Sequence, residues 1–322
     1  EVLGTVMELN REYGTTVALI THYMDEAAGA DRVVVMDEGR ILMDAAPRQV
    51  FARVEELRLR WGRPMAAVLP EGERPLGGEP VTGQELEQLL ELASRASFHT
   101  VADQLRRGYL TVEGGHRVGL CGTAVVRDGE LRGLRRLSSA AVRVARQAVG
   151  AARPVSDRLL RREGTLYSTL ILAPPGAGKT TLLRDLIRAA SDGEGMTPHR
   201  VGVADERGEV AALWNGRPQL EVGARTDVLE GCPKALALML LLRSMNPQVL
   251  AADEITAPED VRALISAAGC GAALLATAHG WDRRDLEERP LYRELMAAGV
   301  FRRLVLIRRE GDRRRYEVEE LP

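Results

Sequence analysis

The segment with the clearest chemical pattern is residues 173 to 180, which reads Ala-Pro-Pro-Gly-Ala-Gly-Lys-Thr. A phosphate-binding loop needs small residues whose backbone N–H groups converge on the phosphate, a lysine for its oxygens and a hydroxyl for Mg²⁺. Ala173 stands where the pattern has glycine, and the alternative is a Gly/Pro loop that happens to precede a lysine. The predicted nucleotide-binding residues are Pro175, Gly176, Ala177, Gly178, Lys179, Thr180 and Thr181, with Lys179 also catalytic and Thr180 also a ligand of Mg²⁺.

A second pattern is the apolar run 249–252, which ends in Asp253 and Glu254. In phosphate-loop enzymes such a strand lies beside the loop. We expect Asp253 to hold Mg²⁺ and Glu254 to polarise the attacking water. Many strands end in acidic residues, so it is the position after the phosphate loop that makes this pattern informative.

Five further residues are candidates with open alternatives. His279, at the end of the next strand, could sense the γ-phosphate or be an ordinary histidine at a strand end. Asp205 and Glu206 could place carboxylates near the metal, with Asp205 as a Mg²⁺ ligand, or form a solvated turn. Arg225 could stabilise charge across a subunit boundary, as Arg243 also could, or either could form a surface salt bridge.

The elements that must position these residues alternate apolar strands with helical patterns from residue 154 to 322. This alternation predicts an α/β fold, a parallel sheet with helices on both faces and ligands at the carboxyl ends of the strands. The strand candidates are Thr169–Leu172, Val201–Ala204, Gln248–Ala252, Ala272–Ala276 and Leu304–Ile307.

The preceding residues, 50 to 153, are predicted to form a smaller α+β domain. Residues 63 to 80 are rich in Pro and Gly and predict a loop, and Thr82 with Glu85 forms a capping box that opens an amphipathic helix. Asp128-Gly129 predicts a hairpin, and the basic segment 132–146 has helical spacing in its second half. Residues 1 to 49 read helix, strand, helix, strand, and Arg32–Met36 is of the buried parallel type.

Composition restricts the class of protein. A net charge of −2 gives no overall bias towards nucleic acid. The basic segments 132–146 and 308–315 could contact nucleic acid or acidic partners, but they lack interleaved aromatic residues, and a solvated face or a subunit contact is favoured. No apolar run approaches the ~18 residues that span a bilayer. The three cysteines are far apart, which is typical of a reducing cytosol. The chain begins at Glu1 and not at Met, which predicts a fragment or a reading frame entered in the middle.

From about residue 50 onward, a set of segments together forms a specific family pattern: Glu56–Pro64, Arg107–Thr111, Gly114–Gly119, Ala173–Asp185, Asp205–Arg207, Arg225–Leu229 and Arg243–Pro247. In these segments the sequence resembles the stage III sporulation protein AA family, which itself is similar to the secretion ATPases. The resemblance implies a RecA-like motor, working with ATP and Mg²⁺ as a ring of identical subunits, with a hexamer as one option. It further implies a cytoplasmic ATPase on the mother-cell side of a membrane complex, energising a channel to the forespore, and active-site roles for Asp205, Glu206 and His279. One departure is Thr256, where the family pattern has glycine.

Residues 1 to 49 instead resemble the tail of an energy-coupling-factor (ABC) transporter ATPase. Leu19–Ala27 resembles the switch-histidine segment of that family, with His22 as the histidine, and Asp31–Ile41 matches the next segment of the same family. The chain therefore reads as two coding regions joined near residue 50, by a real fusion or by a frame or assembly error.

Three functions remain open from the sequence. The first is the ring motor, an α/β RecA-like ATPase with membrane-embedded channel or transporter proteins as partners. The second is an ABC transporter ATPase, whose catalytic motifs would lie before Glu1. The third is a nucleotide-gated scaffold with little turnover, which the pair Asp253 and Glu254 disfavours.

Overall fold

The computed structural model describes residues 30–37, 40–45, 54–94, 108–127, 129–310 and 313–322. The chain divides into two compact units, one of residues 1–110 and 116–144 and one of residues 111–115 and 145–322. The predicted boundary between the second and third domains lies nine residues later, after residue 153. The two helices and the first strand (Thr16–Ile20) predicted before Arg32, together with His22, lie outside the described residues.

In the first unit, the first two described strands form a ribbon of their own. Strand β1 (Val33–Asp37) pairs with β2 (Arg40–Ala45) in antiparallel orientation. The expectation of a buried parallel strand at Arg32–Met36 is therefore wrong, and Val34 is 43% exposed. A partner strand that follows after a short turn can pair only in the antiparallel sense.

The other strands of this unit form a six-stranded sheet in the order β5-β4-β3-β8-β7-β6. A helix, α1 (Gly83–Ser94), accompanies the sheet. The predicted capping box is confirmed, because the Glu85 N–H donates to Thr82 Oγ1 at 3.2 Å and the Thr82 N–H donates to Glu85 Oε2 at 2.7 Å. The strands are β3 (Glu56–Arg60), β4 (Ala66–Leu69), β5 (Gly72–Pro75), β6 (Tyr109–Thr111), β7 (Arg117–Arg127) and β8 (Glu130–Arg143).

Two local predictions in this sheet are wrong. Residues 63 to 80, expected to be a loop, contain the β4–β5 hairpin, in which Ala66 pairs with Pro75 and Leu69 with Gly72. The segment 132–146, with its helical spacing, is largely β8, which is paired on both edges with β3 and β7. Ladder hydrogen bonds on two sides outweigh the helix preference of an alanine-containing segment. The hairpin predicted at Asp128-Gly129 is confirmed by the pairing of Arg127 with Glu130.

The second unit is built on a seven-stranded sheet in the order β13-β10-β14-β15-β9-β16-β17. All of its pairs are parallel except β16 with β17. A short ribbon, β11 (Leu213–Trp214) with β12 (Arg217–Pro218), stands apart from it. The strands of the sheet are β9 (Thr169–Ala173), β10 (Val201–Asp205), β13 (Thr226–Glu230), β14 (Val249–Ala252), β15 (Ala273–His279), β16 (Arg303–Glu310) and β17 (Arg313–Glu320).

Helices cover both faces of this sheet, and alternate strand residues divide between the two cores. Ile171, Val203 and Ala251 face the core that α2 completes, and Leu170, Ala204 and Leu250 face the core under the other helices. This arrangement confirms the predicted α/β class, and it explains why the central strands read as continuous apolar runs. The helices are α2 (Lys179–Asp192), α3 (Lys234–Ser244), α4 (Pro258–Gly269), α5 (Arg283–Glu288) and α6 (Pro290–Ala297). No described helix is long and apolar enough to cross a bilayer.

Candidate functional site

The phosphate-loop residues lie where β9 ends and α2 begins. Strand β9 ends at Ala173 and α2 starts at Lys179, so the N–H groups of the first helical turn face the loop. Gly176 and Gly178 have φ angles of 74° and 101°, a left-handed region that favours glycine. The loop therefore has both the glycines and the helix N-terminus that a phosphate cradle requires.

Lys179 is buried and turned into its own loop. Its ammonium donates to the carbonyl oxygens of Ala173 at 2.9 Å and Pro174 at 3.0 Å, and to Nδ1 of His279 at 3.0 Å. Burial lowers the pKa of Lys179, while the carboxylates of Asp253 and Glu254 act in the opposite direction. Because the ammonium has no lone pair to accept with, Nδ1 is the acceptor and the Nε2 nitrogen of His279 carries the proton.

Asp253 is held by two hydroxyl groups at the end of β14. Thr180 Oγ1 donates to Asp253 Oδ2 at 2.7 Å, and Thr277 Oγ1 donates to Asp253 Oδ1 at 2.6 Å. Burial raises the pKa of Asp253, and the hydrogen bonds from the two threonines oppose that shift. The first turn of α2 and the carboxylate after β14, two patterns far apart in sequence, thus meet directly.

Glu254 is positioned by its neighbours on both sides. Its Oε1 accepts from His279 Nε2 at 2.7 Å, and its Oε2 pairs with Arg207 Nη1 at 2.8 Å. Its backbone N–H donates to Thr277 Oγ1 at 2.8 Å, and its φ angle is 55°. A non-glycine residue in this left-handed region carries a backbone cost of about 1–3 kcal/mol, and such residues are found at functional sites.

Asp205 organises the loop that follows β10. Its Oδ1 accepts from the N–H of Glu209 at 2.8 Å, and its Oδ2 accepts from the N–H groups of Val210 and Ala211 at 3.0 and 2.9 Å. Burial raises the pKa of Asp205, and these hydrogen bonds oppose the shift. Since both oxygens are engaged with the backbone, the contacts favour a positioning role, and the metal role of Asp205 stays a prediction.

A buried arginine of α2 also hydrogen-bonds to this loop. Arg184 Nε donates to the carbonyl of Val210 at 2.6 Å, and its Nη2 donates to the carbonyl of Glu209 at 2.7 Å. Asp205 thus binds the donors of the loop and Arg184 binds its acceptors. Together these contacts fix the loop that contains Arg207, whose guanidinium pairs with Glu254.

Glu206 pairs with a lysine that the sequence did not single out. Lys234 is 4% exposed, and its Nζ lies 3.1 Å from Glu206 Oε2 and 3.6 Å from Asp260 Oδ2. This pair closes one side of a small cavity beside the phosphate loop. The cavity is lined by Asp205, Glu206, Arg207, Glu209, Lys234, Asp253 and Glu254.

The two arginines proposed as subunit-boundary residues lie away from this cavity. Arg225 directly precedes β13, at the amino ends of the parallel strands, and its side chain donates to the carbonyl of Ser191 at 2.9 Å. Arg243 is exposed in the last turn of α3. Neither contacts the phosphate loop of its own chain, and a role for either across a subunit boundary stays a prediction.

Three contacts of this site were not assigned by sequence reasoning: those of Thr277, Arg207 and Lys234. Thr277 stands two residues before His279 on β15, and the period of two along a strand gives a local signal that both side chains face the same way. Arg207 lies in the predicted turn after β10, but nothing local pairs it with Glu254. Lys234 opens an apolar helix, where a lysine reads as an ordinary exposed residue.

Comparison with known proteins identifies relatives of both parts of the chain. The stage III sporulation protein AA of Bacillus subtilis is 40% identical over 273 residues, 82% of this chain and 86% of that protein. A shorter match links the chain to the energy-coupling factor transporter ATP-binding protein EcfA1 of Clostridium perfringens, 52% identical over 58 residues, 18% of this chain and 21% of that protein. The short match agrees with the resemblance predicted for residues 1 to 49.

Solved structures share the fold at low sequence identity. The pilus retraction motor PilT with bound ADP has a TM-score of 0.58 at 15% identity, covering 85% of this chain and 82% of PilT. The Legionella pneumophila ATPase DotB has a TM-score of 0.53 at 14% identity, covering 84% and 78%. A family model matches residues 30–317. This chain therefore belongs to the family described as sporulation stage III, protein AA.

Proposed function

We propose that the chain binds Mg-ATP at residues 173–181 and hydrolyses it to ADP and phosphate. The observation that carries this proposal is the 2.7 Å contact between Thr180 Oγ1 and Asp253 Oδ2, directly beside Lys179. A hydroxyl and a carboxylate oxygen are the kinds of ligand that Mg²⁺ prefers. A phosphate cradle, a hard-oxygen pair and a second carboxylate within one small site are the parts that phosphoryl transfer to water requires.

The residues present fit a magnesium ion. Asp253 is a carboxylate whose pKa is raised by burial, and among the described residues it has two neutral hydroxyl partners and no cation within ion-pair distance. Thr180 and Asp253 would hold the ion, which when bound supplies positive charge to the β- and γ-phosphates. Thr277 keeps the second oxygen of Asp253 turned away, so that Oδ2 faces Thr180.

Lys179 and Glu254 have the two remaining roles, which are binding of the phosphates and activation of the attacking water. The Lys179 ammonium donates to two loop carbonyls and to His279, and on nucleotide binding it would exchange these partners for phosphate oxygens. That exchange frees Nδ1 of His279, whose other nitrogen is bonded to Glu254. Glu254 thus remains oriented by His279 and Arg207, and its carboxylate accepts a proton of the attacking water.

In the cell, the proposed role is that of a sporulation motor. Family membership supports a part in sporulation, and the likeness in fold to a protein named as a pilus retraction motor supports coupling of hydrolysis to movement. We propose a ring of identical subunits in the cytoplasm, on the mother-cell side of a membrane complex, which energises a channel to the forespore. Cycles of subunit closure on ATP and opening after hydrolysis would drive that complex.

The test is ATP turnover by the purified chain with Mg²⁺, beside Lys179→Ala. We expect that variant to bind ATP on the order of 100-fold more weakly, because several charge-assisted hydrogen bonds to phosphate are removed. Arg262→Ala is the matched control, since Arg262 forms an exposed pair with Glu259 on α4. Unchanged ATP affinity in Lys179→Ala contradicts the site, and Lys179-dependent binding without turnover favours the nucleotide-gated scaffold.

A further inference from the structure

The phosphate loop has a second neighbour, on the side away from the carboxylates. In the sheet, β9 lies between β15 and β16, and β17 follows β16 at the edge. Asp253, Glu254 and His279 come from the β14 and β15 side. A side chain that approaches the loop from β17 therefore comes from the side opposite Asp253, Glu254 and His279.

Strand alternation directs Arg314 of β17 towards this loop. Side chains two residues apart share a face of a strand. Val318 is buried in the core that α2 completes, and Tyr316 packs against that core. Arg314 is the next residue on the same face, at the end of the strand that lies nearest the start of α2.

The guanidinium of Arg314 lies against the backbone of Gly178. A Cβ placed on Gly178 would be 2.8 Å from Nε, 2.9 Å from Cζ and 3.1 Å from Nη2 of Arg314. These distances are shorter than van der Waals contact, so it is the missing side chain of Gly178 that lets the arginine approach. Gly178 directly precedes Lys179, which puts a second positive group at the carboxyl end of the phosphate loop.

The charge of Arg314 is not neutralised within the described part of the chain. Arg308 Nε lies 3.3 Å from Glu317 Oε2, and Arg315 Nε lies 3.6 Å from Glu317 Oε1. In contrast, no described carboxylate forms an ion pair with Arg314. Arg314 is also exposed. A free guanidinium is well suited to phosphate, because its planar set of N–H donors matches two phosphate oxygens.

We propose that Arg314 donates hydrogen bonds to the phosphates of the bound nucleotide, on the side of the loop opposite Glu254. The inference rests on the proposed nucleotide site and adds to it a residue from the C-terminal strand. Since Arg314 lies away from Glu254, where water would attack, it contacts phosphates that remain after hydrolysis. It therefore strengthens ATP and ADP binding equally and leaves the chemical step unchanged.

The experiment measures the Kd for ADP and for a non-hydrolysable ATP analogue with the full chain and Arg314→Gln. We expect both Kd values to rise about tenfold, with kcat at saturating ATP within about twofold of the starting chain. Arg314→Lys keeps the charge, and we expect it to recover part of the affinity. Such a recovery would show that the glutamine variant loses affinity because it lacks the charge and not because it misfolds. Arg315→Gln, on the other face of β17, is the control and leaves both Kd values unchanged.

Inorganic tripolyphosphate separates contact with phosphate from contact with the rest of the nucleotide. We expect Arg314→Gln to weaken competition by tripolyphosphate by the same factor as ADP binding, whereas an effect on ADP alone overturns the phosphate contact. Equal ADP affinity in the two chains also overturns it while leaving the nucleotide site intact. A starting chain that binds no nucleotide, with or without Lys179, instead refutes the proposed function.

Discussion

On one side of the phosphate loop, the side chains that follow β14 and β15 already hydrogen-bond to one another, whereas on the other side a single arginine approaches from β17. We call these the carboxylate flank, made of Asp253, Glu254, Thr277 and His279, and the arginine flank, made of Arg314. The side chains of the carboxylate flank are held by hydrogen bonds to one another. The arginine flank has charge without a described partner.

Under the proposed function, the carboxylate flank serves the hydrolytic step, and the arginine flank serves the binding of the nucleotide. Preorganised groups cost little reorganisation when charge develops in a transition state, which suits the flank that holds Glu254. An exposed guanidinium would gain these bonds when phosphate binds, which suits a contact made equally to substrate and product. Three substitutions test this division, beginning with the one that should have the largest effect.

Glu254→Gln should abolish most of the turnover and leave binding intact. The amide keeps the size of the side chain but cannot accept a proton from water, so we expect kcat to fall by at least about 100-fold and the Kd for ATP to stay within about twofold. Steady-state turnover and equilibrium binding measure the two quantities. Glu259→Gln, an exposed carboxylate on α4, is the control. If turnover survives, the chemistry does not lie on the carboxylate flank.

Thr277→Val should have an intermediate effect on both folding and turnover. The hydroxyl of Thr277 donates to Asp253 and accepts from the Glu254 N–H, and the residue is fully buried. Valine fills the same space and leaves both groups unsatisfied, so we expect the free energy of unfolding to fall by about 1–3 kcal/mol and kcat by roughly tenfold. Denaturant unfolding and turnover are the measurements, with the exposed Thr197→Val as control. Unchanged turnover would mean that the preorganisation of this flank has no catalytic value.

The double variant Glu254→Gln/Arg314→Gln should show the smallest effect of the three. We expect Glu254→Gln to leave the loss of ADP affinity caused by Arg314→Gln almost unchanged. The two residues have no described contact in common, so the loss of ADP affinity caused by Arg314→Gln should be the same in both backgrounds, to within about twofold. A double-mutant cycle on the Kd for ADP measures this. A larger coupling would show that the two flanks act as one unit, and the comparison would then fail.

The carboxylate flank could be predicted from sequence because each of its signals is local. Asp253 and Glu254 directly follow an apolar strand, and Lys179 and Thr180, which they meet, begin the helix after the phosphate loop. Parallel strands bring such ends to one edge, so the α/β prediction was enough to place them together. The contacts that hold them, such as Thr277 with Asp253, join residues of different strands and have no local signal in the sequence.

The arginine flank could not be predicted in this way. Arg314 stands in an arginine-rich segment that reads as a solvated or subunit-contacting face, and it reaches Gly178 only because β17 returns antiparallel beside β16. The two local errors in the six-stranded sheet of the first unit have different causes. At 132–146, pairing with the distant strand β3 decided the conformation, and a window of sequence contains no information on that pairing. At 63–80, the Pro- and Gly-rich composition that predicts a loop also suits a tight hairpin, and β4 and β5 pair with each other inside that segment.

The left-handed backbone at Glu254 has a consequence for how this family can change over time. Glycine would relax that backbone, since it adopts a φ of 55° without penalty, yet it would delete the carboxylate. Selection for stability therefore favours glycine at this position, whereas selection for turnover favours glutamate. If Glu254 has its proposed role, a relative that no longer hydrolyses ATP would be free to carry glycine here, and the residue at this position would distinguish the two kinds of relative.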